Sequence, residues 1–157
     1  MNSVVEDRLA TMGLNLPQIP APAGVYIPAV VSGTYVYTSG QLPFVDGQLP
    51  ETGRVGEGPG LVPEQRAHEL AAVAALNALA AVKGVIGDLD RIVRVVKVVG
   101  FVSSAEDFYG QPGVLNGASQ LVGEALGEAG VHARSAVGVA ALPLNSPVEV
   151  ELIAEFA

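Results

Sequence analysis

The sequence contains no cysteine and no tryptophan, and its only aromatics are four Tyr and four Phe. Without cysteine there is no disulfide, no thiolate metal site and no thiol nucleophile. Cations are scarce too: 8 Lys and Arg stand against 16 Asp and Glu, a formal charge of −8. Such a surface repels a phosphate backbone unless its cations cluster, so no nucleic-acid partner is expected. No apolar run reaches the roughly 18 residues that a bilayer span requires, so no membrane partner is expected. The opening MNSVVEDRLATMG lacks a basic region followed by a continuous apolar stretch, and it does not read as a secretory signal. The resulting expectation is a cytoplasmic protein. His68 and His132 have no second His or Asp at ligand or catalytic spacing, so no metal is expected and both read as structural or solvent-exposed. The glycines at 53, 56, 58 and 60 match neither phosphate-binding loop spacing, and Ser39-Gly40 does not sit in Gly-x-Ser-x-Gly.

Half of the chain is hydrophobic, enough for a full core, and the length suits one domain over 1–157. Alanine, valine and leucine must fill that core, which favours closely approaching helices and β-branched strands. Residues 1–24 read as a short helix and a proline-rich arm. Ser3 and Glu6 have capping-box spacing ahead of Val5, Leu9 and Met12, Gly13 ends the helical pattern, and Pro17, Pro20 and Pro22 then make an extended arm. Val25–Val31 and Thr34–Ser39 predict a hairpin turning at Ser32-Gly33, and Asp46-Gly47 predicts a second tight turn. Glycine-rich 52–61 reads as a mobile surface loop with the composition of a lid. Pro63 opens an alanine-rich helix that Gly84 should stop. Ile92–Val102 is a buried strand, and Arg91, Arg94 and Lys97 read as surface or interface cations. Gly113–Ala129 is a second helix closed by Gly130. Arg134–Ala141 and Val148–Phe156 are the last two strands. The fold class is therefore α+β, with two helices packed on one mixed sheet.

The last strand alternates Val148, Val150, Leu152 and Ala154 with Glu149, Glu151, Ile153 and Glu155. The strand before it reads Arg134, Ala136, Gly138, Ala140 on one face, a long cation followed by almost nothing. Joined by a short loop, the two strands would pair antiparallel and place Arg134 and Glu149 on one face, roughly 13 Å apart. A small molecule and a water would fit between them if a neighbouring subunit closed the shelf. The alternative for Arg134 is a surface ion pair with Glu151 or Glu155.

YTSGQLP (37–43), VKVVGFVSSAEDF (96–108) and especially ARSAVGVAALPLNSPVEVELIA (133–154) resemble the Rid/YjgF-like family of reactive-intermediate deaminases, also labelled endoribonuclease L-PSP. The similarity runs from about Tyr26 to the C-terminus. It implies a chorismate-mutase-like fold assembled as a homotrimer with sites between subunits. The implied activity is cofactor-free hydrolysis of small enamines and imines, of the 2-aminoacrylate/2-iminopropanoate type, to 2-keto acids and ammonia. By motif match, Arg134 falls on the arginine that holds the substrate carboxylate and Glu149 on the carboxylate associated with the attacking water. Tyr26 and Ser39 match the site's tyrosine and serine, Gly40 its glycine, and Asn116 an asparagine near the cleft. Ala136, beside Arg134 in the substrate-binding strand, stands where many members have Cys, and Gly138 where they commonly have Glu. These departures mark a divergent subgroup, whose alternative reading is a non-catalytic trimeric binding module for small 2-keto acids. On this pairing Arg134 is expected to depress the pKa of Glu149, and Glu151 to raise it.

Overall fold

In the computed structural model, which describes residues 3–19 and 24–157, the Ser3 hydroxyl accepts from the Glu6 amide at the start of helix α1 (Val4–Thr11). Val5 and Leu9 of α1 are buried, and Gly13 follows with φ 75°. Asp90 grips the same helix end from across the fold. Its carboxylate accepts from the Ser3 hydroxyl and from the Val4 and Val5 amides, at 2.7, 2.8 and 2.9 Å. Burial pushes the Asp90 carboxyl up, but these donors and the charge of Arg8 outweigh it and hold it below its usual range. Pro17 lies in the arm, while Pro20 and Pro22 fall outside the described residues.

Strands β1 (Ala29–Ser32) and β2 (Tyr35–Thr38) form the expected hairpin, turning at Gly33-Thr34, one position later than the sequence suggested. Asp46 and Gly47 both have positive φ between the paired Val45 and Gln48, the geometry of a tight two-residue hairpin turn. The 52–61 segment is not a free lid. Val55 is fully buried, donates to Ser103 O and accepts from Ala105 N, so the base of the loop is stitched to the sheet.

Helix α2 (Glu64–Ile86) starts after Pro63, which caps it, and runs through Gly84 to end at Gly87 with φ 87°. Gly84 serves contact, since a Cβ there would stand 2.5 Å from the Ile19 side chain of the arm. α2 is long and apolar enough to pass as a bilayer span by composition, a property the run-length reading missed. Its apolar surface is instead largely buried in the fold. Strand β3 (Ile92–Ser103) leads to helix α3 (Gln111–Leu126), which stops at Gly127 with φ 62°, three residues before Gly130. Strands β4 (Ala133–Val139) and β5 (Val148–Phe156) follow.

The five strands form one sheet in the order β1-β2-β5-β3-β4, with β4 parallel to β3 and the other neighbours antiparallel. This corrects the expected β4–β5 pair: β3 lies between them. The α+β class holds, with α2 and α3 packed on one face and α1 added as a third helix against α3. The core is built from valines of the sheet and alanines of α2, including Ala67, Ala71, Ala74, Ala75 and Ala78. Small residues set the layer spacing. A Cβ on Gly117 would overlap the His68 carbonyl, and one on Gly100 would overlap the Leu115 side chain.

Candidate active site

Residues paired across neighbouring strands project to the same face of a sheet. Val98 of β3 pairs with Leu152 on one side and with Arg134 on the other, and both apolar partners are buried under the helices. Arg134 therefore projects toward the helix layer at the outer edge of the sheet. Phe101 pairs with Glu149 and with Val137, so Glu149 projects to the opposite, open face. The two residues lie three positions along β3 and two strand spacings apart, roughly 14 Å between Cα atoms. The separation is close to the sequence expectation, but the shared face is not. The slip comes from parity: with β3 interposed, the register of β4 is set by a parallel partner and not by a hairpin.

Around Glu149 the open face gathers a first group. Ser39 and Gly40 follow directly on β2, and Gln41 exchanges both backbone hydrogen bonds with Val150. That pairing lays Gly40 against the Glu149 carboxylate. A Cβ on Gly40 would stand 2.7 Å from Glu149 Cδ and overlap Oε1 outright. Gly40 has no positive φ, so its role is space alone. The Ser39 hydroxyl donates to Ile27 O at 2.6 Å, which leaves it free to accept from a ligand. Tyr26 is exposed beside that contact, 52% accessible. Burial, with a smaller contribution from the Glu151 charge, pushes the Glu149 carboxyl above its usual range. Arg134 contributes nothing to that shift, which corrects the expected depression; the guanidinium is on the other side of the sheet.

Around Arg134 the helix side gathers a second group. Nη1 donates to Asn116 Oδ1 at 2.9 Å and to the Ser119 hydroxyl at 3.2 Å, and Nη2 donates to Pro112 O at 3.4 Å. All three acceptors are neutral. Among the described residues no carboxylate pairs with Arg134, so the ion pair with Glu151 or Glu155 does not form. Ala136 shares this face and packs on the core. At Gly138 a Cβ would meet the Gln111 amide at 2.7 Å, so an amide from α3 fills the position where the resembling family commonly has Glu.

The histidines are occupied. His68 Nδ1 contacts Gly113 O at 2.8 Å and ties α2 to α3, while His132 Nδ1 contacts Gly130 O at 2.6 Å. His132 Nε2 also lies 2.9 Å from the Ser119 hydroxyl, a link to Arg134 that the sequence reading missed. Its signal was the three-residue spacing of Asn116 and Ser119 on one helix face. Arg91 packs 5.1 Å over the Phe156 ring and donates to Ile86 O and Ala157 O. Register shifts in β3 bring Arg94 opposite Glu155 and Lys97 opposite Ile153, both on the open face. That face also exposes Val30, Tyr35, Tyr37 and Val137, each between 39% and 49% accessible. No group of three metal-ligating side chains occurs among the described residues.

Residues 6–156 match the family described as "YjgF/chorismate_mutase-like, putative endoribonuclease". "Protein TCP17" of Trypanosoma cruzi is 41% identical over 152 residues, 96% of this chain and 93% of that protein. A solved structure described as a "putative endoribonuclease" from Shewanella oneidensis MR-1 superposes with a TM-score of 0.92 at 35% identity. It covers 99% of this chain and 100% of its own. E. coli TdcF, solved with bound serine, superposes with a TM-score of 0.58 at 25% identity over 89% of this chain and 94% of its own. The drop from 0.92 to 0.58 at similar coverage sets the chain in a divergent subgroup.

Proposed function

The chain belongs to the YjgF/chorismate-mutase-like family, and from that premise we propose that it hydrolyses small carboxylate-bearing enamines and imines to 2-keto acids and ammonia, without a cofactor, in clefts between the subunits of a homotrimer. The observation that carries this reading is Arg134: a guanidinium fixed by three neutral acceptors, with its charge uncompensated and its Nε–H and one Nη2–H unused among the described residues. Such a fork suits a planar carboxylate bound through two parallel hydrogen bonds. The bound serine of TdcF, a small amino acid with a carboxylate, is of the same chemical class.

The reaction needs little beyond position and proton handling. The imine carbon is already electrophilic, so water adds its oxygen there while one water proton leaves. A Glu149 carboxylate raised toward neutrality by burial is a better acceptor for that proton than a solvated one. The imine nitrogen takes up protons as the tetrahedral aminoalcohol forms and then collapses. Ammonia departs as the hydroxyl proton is lost and the C=O forms. Ser39, whose own hydrogen is committed to Ile27 O, accepts from the nitrogen, and the Tyr26 hydroxyl is available to hold the water. Arg134 and Glu149 face opposite sides of one sheet, so a single small substrate reaches both only when they come from different copies. The exposed Val30, Tyr35, Tyr37 and Val137 on the open face give those copies a reason to associate.

A ribonuclease reading is favoured by the family's description as a "putative endoribonuclease", but the formal charge of −8 and the engagement of both histidines oppose it. The test is turnover of freshly generated 2-aminoacrylate and related amino-acid-derived imines in competition with semicarbazide trapping. Accelerated keto-acid formation supports the deaminase. Pyruvate binding without any acceleration assigns the chain to the binding-module alternative, and cleavage of single-stranded RNA with inert imines returns the ribonuclease. Within the deaminase reading, Arg134→Lys removes the parallel donors and should weaken pyruvate binding by roughly 10-fold or more, about 1.5–3 kcal/mol for a charged hydrogen bond lost.

A further inference from the structure

His132, Ser119 and Arg134 form a chain of contacts whose donor and acceptor roles are fixed from one end. Gly130 O can only accept, so the 2.6 Å contact places a proton on His132 Nδ1. In the neutral ring Nε2 is then an acceptor, and the Ser119 hydroxyl, 2.9 Å away, donates to it. The lone pairs of Ser119 are thereby turned toward Arg134 Nη1, which donates to them at 3.2 Å. The opposite polarity would aim an imidazolium N–H and a guanidinium N–H at one hydroxyl oxygen and bring two cations together. Asn116, one turn earlier on α3, takes the other Nη1 hydrogen at 2.9 Å. Both Nη1 hydrogens are consumed on the helix side, which turns the edge bearing Nε outward as the recognition edge.

We propose that Ser119 and His132 are positioning residues that pre-set the Arg134 fork for its carboxylate ligand; this rests on the carboxylate-binding role assigned to Arg134 above. An extended arginine otherwise samples many rotamers, and ordering it on binding would subtract from affinity. Here the ordering is completed on folding. The His132–Ser119 pair works as a unit, because Ser119 presents a lone pair to Arg134 only while its hydrogen is held by Nε2.

The experiment measures pyruvate dissociation constants by calorimetry for the wild-type chain and for Ser119→Ala, Ser119→Thr, Arg134→Lys and the Ser119→Ala/Arg134→Lys double variant. Nitrogen-15 NMR of the His132 ring accompanies it. Ser119→Ala should weaken pyruvate roughly 5-fold, on the scale of one net intramolecular hydrogen bond. Ser119→Thr, which keeps the hydroxyl, should restore binding, and Ser119→Ala should add nothing in the Arg134→Lys background. The ring should report the Nδ1–H tautomer in the wild-type chain. Wild-type affinity in Ser119→Ala beside a weakened Arg134→Lys overturns the positioning role and leaves the carboxylate reading standing. Unchanged affinity in Arg134→Lys overturns both. An Nε2–H tautomer overturns the relay whatever pyruvate does.

Discussion

Gly40→Ala tests the placement of Glu149 without touching a charge or a hydrogen-bonding group. The added methyl would stand 2.7 Å from Glu149 Cδ and 3.0 Å from Cγ, against an ordinary contact of 3.4 Å or more, and would overlap Oε1. The Gly40 backbone is paired through Gln41 and Val150 and cannot give way cheaply, so the side chain must move. The retreat required is on the order of 1 Å, a displacement that costs about 10²-fold in rate when it falls on a group aligned with a reacting atom. The backbone has no positive φ, so alanine brings no conformational strain, and the melting temperature should move by less than about 0.5 kcal/mol implies. Semicarbazide-competition kinetics should therefore show kcat falling roughly 10²-fold, with pyruvate affinity held within a few-fold by the unaltered Arg134. Wild-type kcat in a folded Gly40→Ala would refute the reasoning, because Glu149 could then be displaced at no cost to chemistry.

Glu149→Gln should lower kcat by roughly 10²-fold while pyruvate still binds. Because the folded-state pKa of Glu149 is raised, its ionised form opposes folding above that pKa and ceases to do so as the pH falls through it. The glutamine variant should therefore melt above wild type at pH 7 and lose the advantage below the ordinary carboxylate value of 4.5, as read by calorimetry at both pH values. Asp90 has the opposite sign. Its lowered pKa supplies stability above 3.8 that is lost as the pH falls through the folded value, so Asp90→Asn should destabilise modestly at pH 7, the effect reduced by the exposure of the carboxylate to solvent. Hydrogen exchange at the Val4 and Val5 amides should quicken in that variant.

Elements with strong local chemistry were legible in the sequence. Ser3 caps its own helix through its hydroxyl, Gly33 and Asp46-Gly47 act through their own backbone, and the valine run of β3 and the alanine run of α2 carry their periodicity with them. Helix ends were less legible, because Gly84 and Gly130 look like stop signals. Gly84 is set by contact with Ile19, 65 positions earlier in the numbering, and Gly130 packs against the Val122 carbonyl. The candidate site residues were named from their motifs, but the faces they occupy were not legible. Facing depends on which strand lies beside which, and the placement of β3 between β4 and β5 is a property of the whole sheet. The Ser119–His132 link escaped for the same reason: position 132 precedes β4, position 119 lies in α3, and only the β3–α3–β4 crossover brings them together.

The same topology makes a demanding test of the shared cleft. Arg134 on the helix side and Glu149 on the open side act on one substrate only if each site draws them from two copies, whereas a site within one chain would need both on one face. At substrate concentrations well below saturation, Arg134→Lys is expected at about a tenth of wild-type activity or less and Glu149→Gln at about a hundredth. Dissociated, mixed in equal amounts and allowed to reassemble as the proposed trimer, they should give about one cleft in four with an intact Arg134 from one copy and an intact Glu149 from the next. Activity should therefore return to about a quarter of the wild-type value, and sedimentation should place it in a species near three times the 16.0 kDa chain. If the mixture stays as inactive as its components although mixed trimers form, the two residues do not meet across an interface, and the division of the site between copies is wrong. Complementation from two variants that each fold and each fail has no other source, because neither chain carries both groups.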